Sequence, residues 1–174
     1  MKISIITINY NNKAGLKQTL ESIKVQTVKP FEYIVIDGGS TDGSVNLLAE
    51  YSCIVSASVS EKDSGIYNAM NKGTKLAIGD YLLFLNSGDY LYDANVLEIL
   101  SKLDVTEDII VGKILELAVG KTNVLAEPPY SLKYFFSNTF PHPSTLIKRE
   151  ILLANPYDES LKIVSDWKFF LEEM

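Results

Sequence analysis

A chain of 174 residues and 19.4 kDa suits one domain with a sizeable core and leaves little room for a second. Hydrophobic residues make up 47% against 22% charged, and seven Phe, ten Tyr and one Trp supply enough apolar surface to offset ordering entropy, which excludes wholesale disorder. Sixteen Lys and Arg against 22 Asp and Glu leave a formal charge of -6 and a pI near 4.8, with no local basic patch, so a nucleic-acid partner is not expected.

The chain runs directly into Ile3-Ser4-Ile5-Ile6-Thr7-Ile8, a β-branched strand, without a basic leader or cleavage site. After Asn9-Tyr10-Asn11-Asn12, the spacing of Leu16, Leu20 and Ile23 predicts a helix within Lys13 to Gln26. Tyr33 to Ile36 reads as a second strand, ending at Asp37-Gly38-Gly39-Ser40-Thr41-Asp42-Gly43 before a helix over Ser44 to Tyr51. The one cysteine, Cys53, cannot form an intrachain disulfide, and a reducing, cytoplasmic setting is expected. A third strand over Ile54 to Val59 leads through Glu61-Lys62-Asp63-Ser64-Gly65 into a helix over Ile66 to Ala77, with Ile66, Ala69, Met70, Gly73, Leu76 and Ala77 on one face. Tyr81 to Leu85, continuously apolar, is a strand covered on both faces; Asn86-Ser87-Gly88-Asp89 ends it, and a helix follows over Asn95 to Leu103.

Four strand-loop-helix units in succession predict a three-layer α/β/α sandwich on a mainly parallel sheet. The second half is less regular. Ile109 to Leu117 and Thr122 to Ala126 read as strands, Pro128-Pro129 and Pro141-His142-Pro143 as loops, and Ser165 to Met174 as a helix with Trp167, Phe170 and Leu171 in a stripe. Tyr130, Tyr134, Phe135, Phe136 and Phe140 read chiefly as core, with a dimer face, an acceptor platform or a membrane-facing patch as the other uses. No apolar run reaches the length of a membrane span, which leaves peripheral contact with a membrane open and the oligomeric state unread.

Ligands bind an open parallel sheet at the carboxyl ends of its strands, and those ends carry Asn9 and Asn11, Asp37 and Asp42, Asp63, and Asp89. Neither G-x-G-x-x-G in the first turn nor a P-loop is present, which sets aside dinucleotide and P-loop chemistry. Asp37, beside two glycines, is placed to accept from a ribose hydroxyl or a base N–H, or else to close an Asx-turn, while Asp42 suits a helix cap. Asp89 stands where a hard divalent cation takes carboxylate and phosphate oxygens together, although Ser, Gly and Asp also make a simple turn. His142 between prolines is a candidate for phosphate or metal, or a surface residue, and Asp166 is either a helix-dipole partner or a proton acceptor.

Together these blocks resemble the inverting nucleotide-diphospho-sugar glycosyltransferases of the GT-A fold, family 2, in their bacterial polysaccharide-assembly branch. The resemblance rests on Ser4 to Asn11 with Leu20 to Ile23 and Gln26, on Glu32 to Gly43, on Glu61 to Gly73, on Gly79 to Asp89, and on His142-Pro143-Ser144-Thr145 and Ser165-Asp166-Trp167. It implies a single domain over residues 1–174, cut short after Asp166. It also implies a UDP-sugar donor, a Mg²⁺ or Mn²⁺ ion, a glycan or lipid-linked acceptor, and work at the inner face of the membrane. Thr7, Asn9, Asn11, Asp37, Gly39, Ser40 and Asn71 would surround the nucleotide, Asp63 its uracil or ribose side, Asp89 with His142 the metal, and Asp166 would be the base. The family's Asp-x-Asp pair is replaced by Asn86 and Gly88, leaving Asp89. A sugar nucleotidyltransferase, lacking its glycine- and lysine/arginine-rich opening here, and a non-catalytic nucleotide-sugar-binding module are the other readings.

Overall fold

The computed structural model describes residues 1–118, 121–125 and 139–173. Strands β1 (Ile3–Asn9), β2 (Glu32–Asp37), β3 (Ala57–Ser60) and β4 (Tyr81–Phe84) run parallel, each followed by a helix: α1 (Lys13–Lys24), α2 (Ser44–Glu50), α3 (Ile66–Leu76) and α4 (Val96–Ser101). Then come β5 (Ile109–Val111), a hairpin of β6 (Ile114–Ala118) and β7 (Lys121–Leu125), a single 3₁₀ turn at His142–Ser144, β8 (Thr145–Lys148), α5 (Arg149–Ala154) and α6 (Ser165–Glu172). The central sheet has the order β3-β2-β1-β4-β8-β5, with β8 antiparallel to both its neighbours.

Strand β1 is buried along nearly its whole length because helices cover both faces. Ile3 and Ile5 pack with Leu16, Leu20 and Ile23 of α1, Leu47 and Leu48 of α2 and Leu97 of α4. Ile6 faces the other way, onto Met70 of α3, Leu152 of α5, and Phe169 and Phe170 of α6. That second layer sits close: a Cβ at Gly73 would lie 2.5 Å from Ile6 Cγ2, so only glycine lets α3 approach β1 this nearly.

Several elements differ from expectation for local reasons. Ile54 and Val55 form a turn whose amides bond to Tyr51 O, and they close the bottom of the core, so β3 begins later. The apolar run after Ile109 breaks at Gly112 into β5 and β6. On α3, Ile66 and Leu76 are exposed while Tyr67, Asn71 and Thr74 are buried, because the helix is rotated to receive the segment before α6. On α6 the buried pair is Phe169 and Phe170, with Leu171 left exposed. Phe140 is core; Ala126, Pro128-Pro129, Tyr130, Tyr134, Phe135 and Phe136 lie outside the described residues. Among the described residues no helix is long and apolar enough to cross a membrane.

Candidate active site

The carboxyl ends of the four parallel strands are joined by one chain of hydrogen bonds, taken in sheet order. Ser87, just past β4, donates its hydroxyl to Asn9 Oδ1 of β1 (2.8 Å), and Asn9 Nδ2 donates to Asp37 Oδ1 of β2 (2.6 Å). Ser60 at the end of β3 donates to Asp37 Oδ2 (2.7 Å). Asn9 pairs in register with Asp37, and Asp37 with Ser60, so the strand registers themselves put these groups in line.

Asp37 is the centre of this floor and has no solvent exposure. It also accepts from the Ser40 hydroxyl (2.5 Å) and from the amides of Ser40 (2.8 Å) and Gly39 (3.2 Å). Burial alone would raise its carboxyl, but the bonds from Ser40, Ser60 and Asn9 outweigh burial and hold it below the usual range. Ser40 in turn takes the Asn11 amide (2.7 Å), and Asn11, at φ 47°, accepts from the Thr41 amide (2.8 Å). Asp42 ties two helix starts together, accepting from the Lys13 amide (2.7 Å) and from the amide and hydroxyl of Ser44 (3.0 and 2.6 Å). The Ser44 hydroxyl bond is the main cause of its lowered pKa.

Above this floor opens a cleft of about 690 Å³, whose lining includes Tyr10, Gly38, Gly39, Lys62, Asp63 and Asn86. A Cβ at Gly38 would stand 2.5 Å from Asp63 Oδ2, so glycine there lets the Asp63 carboxylate lean over the second loop. On the far wall, the turn at residues 86–89 is closed by the Asp89 amide on Asn86 O (2.9 Å) and clamped to α1 by Thr19. Asp89 is partly buried, and burial pushes its carboxyl up despite a bond from the Asn86 amide. Asn86 Oδ1 is buried and has no hydrogen-bond partner among the described residues. An orphaned oxygen in a cleft wall is costly unless a ligand completes it.

The remaining candidates stand behind the cleft. Thr7 is fully buried and shares a 3.0 Å hydrogen bond with Tyr33 on the α1 side of the sheet. Asn71, on α3, holds the backbone of Tyr157 from both sides and the Glu159 carboxylate. His142 is no surface residue. It stacks on Phe84 at 5.0 Å, packs edge-on to Tyr157 and Phe170, and bonds through Nε2 to Tyr157 Oη (2.6 Å). Burial pushes its pKa down to about 4, against a smaller opposing pull from Asp166, so the imidazole is neutral.

Asp166 lies in the first turn of α6, where its Oδ1 accepts from Tyr67 Oη at 2.7 Å. The chain enters that helix through Val164 at φ 74°, a left-handed conformation that a β-branched residue seldom adopts. Strain of this kind costs about 1–3 kcal/mol and gathers at functional sites. A second pocket of about 270 Å³, lined by Gly65, Ile66, Tyr67, Asn68, Glu159 and Lys162, shares Gly65 and Ile66 with the cleft. Tyr67, Tyr157 and Glu159 were not among the sequence candidates. Tyr67 is absent from the face that Ile66, Ala69, Met70 and Gly73 mark in the sequence, and nothing in the residues before Asp166 marks Tyr157 or Glu159 as partners of α3.

The architecture is the GT-A fold of nucleotide-sugar glycosyltransferases. The chain is similar to the TarS 1–349 structure from Staphylococcus aureus at a TM-score of 0.71 and 21% identity, over 99% of this chain and 55% of that one. It is also similar to a mannosyltransferase from Pyrobaculum calidifontis, solved with GDP-Man and Mn²⁺, at 0.72 and 16%, over 98% and 51%. Residues 4–144 match the family described as Glycosyl transferase family 2, and the chain belongs to it. Among its relatives, an uncharacterized glycosyltransferase of Mycobacterium tuberculosis is 34% identical over 97% of this chain and 67% of its own length. A glycosyltransferase of PGL/p-HBAD biosynthesis from Mycobacterium bovis is 29% identical over 95% and 67%. The chain thus spans about two thirds of the length of these relatives and about half of the solved structures.

Proposed function

We propose that this chain carries the donor site and the base of an inverting glycosyltransferase, which moves a sugar from a UDP-sugar to a glycan or lipid-linked acceptor in cell-surface polysaccharide or glycolipid assembly. The observation that carries the reading is the acid-bearing cleft at the strand ends, joined through Gly65 and Ile66 to a second pocket walled by Tyr67, the partner of Asp166. A TarS structure of the same fold was solved with UDP, which supports the choice of nucleotide.

In this reading the nucleotide lies over Gly38 and Gly39 with Asp63 on its uracil or ribose side. Asn9, Asn11, Asp37 and Ser40 shape the floor beneath it, and Thr7 and Asn71 hold the sheet and α3 in place behind. Asp89 and the unpartnered Asn86 Oδ1 are hard oxygens, a donor set that suits Mg²⁺ or Mn²⁺ when the diphosphate supplies further ligands. His142 is set aside as a ligand here, since its Nε2 is taken by Tyr157 inside an aromatic box. A bound cation stabilises charge on the departing diphosphate. Asp166 removes the proton of the acceptor hydroxyl as that oxygen attacks the anomeric carbon opposite the leaving group, which inverts the configuration. Exposed Ile163 and Val164, just before Asp166, support an acceptor with an apolar part and work at a membrane face.

The test is release of nucleotide from UDP-glucose, UDP-N-acetylglucosamine and GDP-mannose by the protein and by Asp166→Asn. Release that falls in the variant while UDP binding persists supports the reading. A second reading, a non-catalytic binding module, draws on Asn86 and Gly88 and on the lack, among the described residues, of three clustered His, Cys, Asp or Glu. Saturable UDP binding with no turnover of any sugar nucleotide would favour it.

A further inference from the structure

Helix α3 touches both parts of the site. Ile66 at its start and Gly65 just before it line the cleft, and Tyr67 points its hydroxyl to Asp166 on a different element. Within the next turn Asn68 Nδ2 bonds to Glu159 Oε2 (2.8 Å), and Asn71 holds Glu159 Oε1 (3.0 Å) and the Tyr157 backbone (2.8 and 3.1 Å). Three side chains of one helix therefore fasten the segment that delivers α6. The Tyr67 ring is buried and lies 5.5 Å from the Tyr157 ring, which fixes its direction. Burial first, and then Asp166, pushes the Tyr67 hydroxyl up to about 12, so it remains a proton donor at neutral pH.

A hydroxyl that donates to one carboxylate oxygen stops rotation of the group. With Oδ1 held by Tyr67, Oδ2 is the oxygen left to accept from an incoming hydroxyl. We propose that Tyr67 is the positioning residue of the Asp166 base, acting only through that carboxylate, and that it ties the base to the helix whose first turn lines the donor cleft. This inference rests on the reading of Asp166 as the base.

The experiment is a double-mutant cycle of Tyr67→Phe and Asp166→Asn, read as steady-state nucleotide release from UDP-glucose, UDP-N-acetylglucosamine and GDP-mannose with Mn²⁺ and water as acceptor. Loss of one charge-assisted hydrogen bond is expected to lower kcat about tenfold to a hundredfold in Tyr67→Phe, with the donor KM within twofold. In the Asp166→Asn background the same change is expected to cost less than twofold, because the group it acts through is already gone. Equal losses in both backgrounds, an unchanged kcat, a change confined to KM, or a Tyr67→Phe protein that does not fold would each overturn the positioning role while leaving the base in place. Undiminished release by Asp166→Asn, or no release by the unaltered protein, would overturn the base itself and this inference with it.

Discussion

Replacing Asp37 by Asn tests whether this residue holds the floor of the cleft or touches the ligand. Its carboxylate accepts from Asn9 and Ser40 on Oδ1 and from Ser60 and the amides of Gly39 and Ser40 on Oδ2. The two backbone amides cannot reverse, so Asn must leave its oxygen at the Oδ2 position and turn its NH₂ to Asn9 and Ser40. The Ser40 hydroxyl already accepts from the Asn11 amide and from Asn9 Nδ2 and has no lone pair left for that NH₂, Asn9 Nδ2 likewise faces another donor, and flipping Asn9 would break the bond from Ser87. Unmatched donors toward both Asn9 and Ser40, with the loss of charge-assisted bonds, together cost at least about 2–3 kcal/mol. For a domain of this size that is a fall in Tm of about 5–10 °C, read by thermal or urea unfolding at pH 7. The lowered pKa adds a sign. A carboxyl depressed in the fold contributes stability present above its unfolded value near 3.9 and lost as pH falls through the folded one, so Asp37→Asn is expected to lose less stability below about pH 4 than the unaltered protein. A variant with unchanged Tm that no longer binds UDP would refute the argument and make Asp37 a direct contact.

The other expectations follow from the same geometry. Asp166→Asn should slow sugar release or transfer by about 10²–10⁴-fold while a UDP titration stays within a few-fold. Asp89→Asn should raise thermal stability in the absence of ligand, since burial disfavours the charge, and should abolish the extra stabilisation that UDP with Mn²⁺ confers. His142 is protonated in the unfolded chain below about pH 6.5 but in the fold only near 4, so stability is expected to fall by about 2–3 kcal/mol as pH drops through that window. His142→Gln should flatten that slope in urea unfolding, and an unchanged slope would show that the ring titrates freely.

The parallel half of the fold was legible because β1 is a run rich in β-branched residues and β2 and β4 carry unbroken apolar stretches, all ending in polar turns, a pattern that suits a doubly covered sheet. Strand β8 and helix α5 were missed: Thr145 to Ala154 holds no Gly, Pro, Asn or Asp to separate a strand from a helix, and β8 exists because Leu82 and Leu83 of β4 pair with Ile147 and Leu146. The strand-end residues Asn9, Asp37 and Asp63 are legible for the same reason that the sheet is, but not which of them face solvent. Asp37 and Asp63 are alike as letters. Ser60, in register with Asp37, helps to bury the first, and the absence of a Cβ at Gly38 lets the second reach the cleft. His142 reads as a ligand because a histidine held between prolines in a loop is often functional, and Asn71 reads as one only through the family resemblance. Their partners, Tyr157 and Glu159, lie 15 to 88 positions away and become visible only once α6 has packed on the sheet.

The central claim is that the cleft takes a nucleoside diphosphate with a cation, and calorimetric titration of UDP and then GDP, each with and without Mn²⁺, tests it most directly. Saturable UDP binding that strengthens with Mn²⁺ and is lost in Asp89→Ala is the expected result. A folded protein that binds neither nucleotide, or binds UDP equally well without the ion and without Asp89, would contradict it.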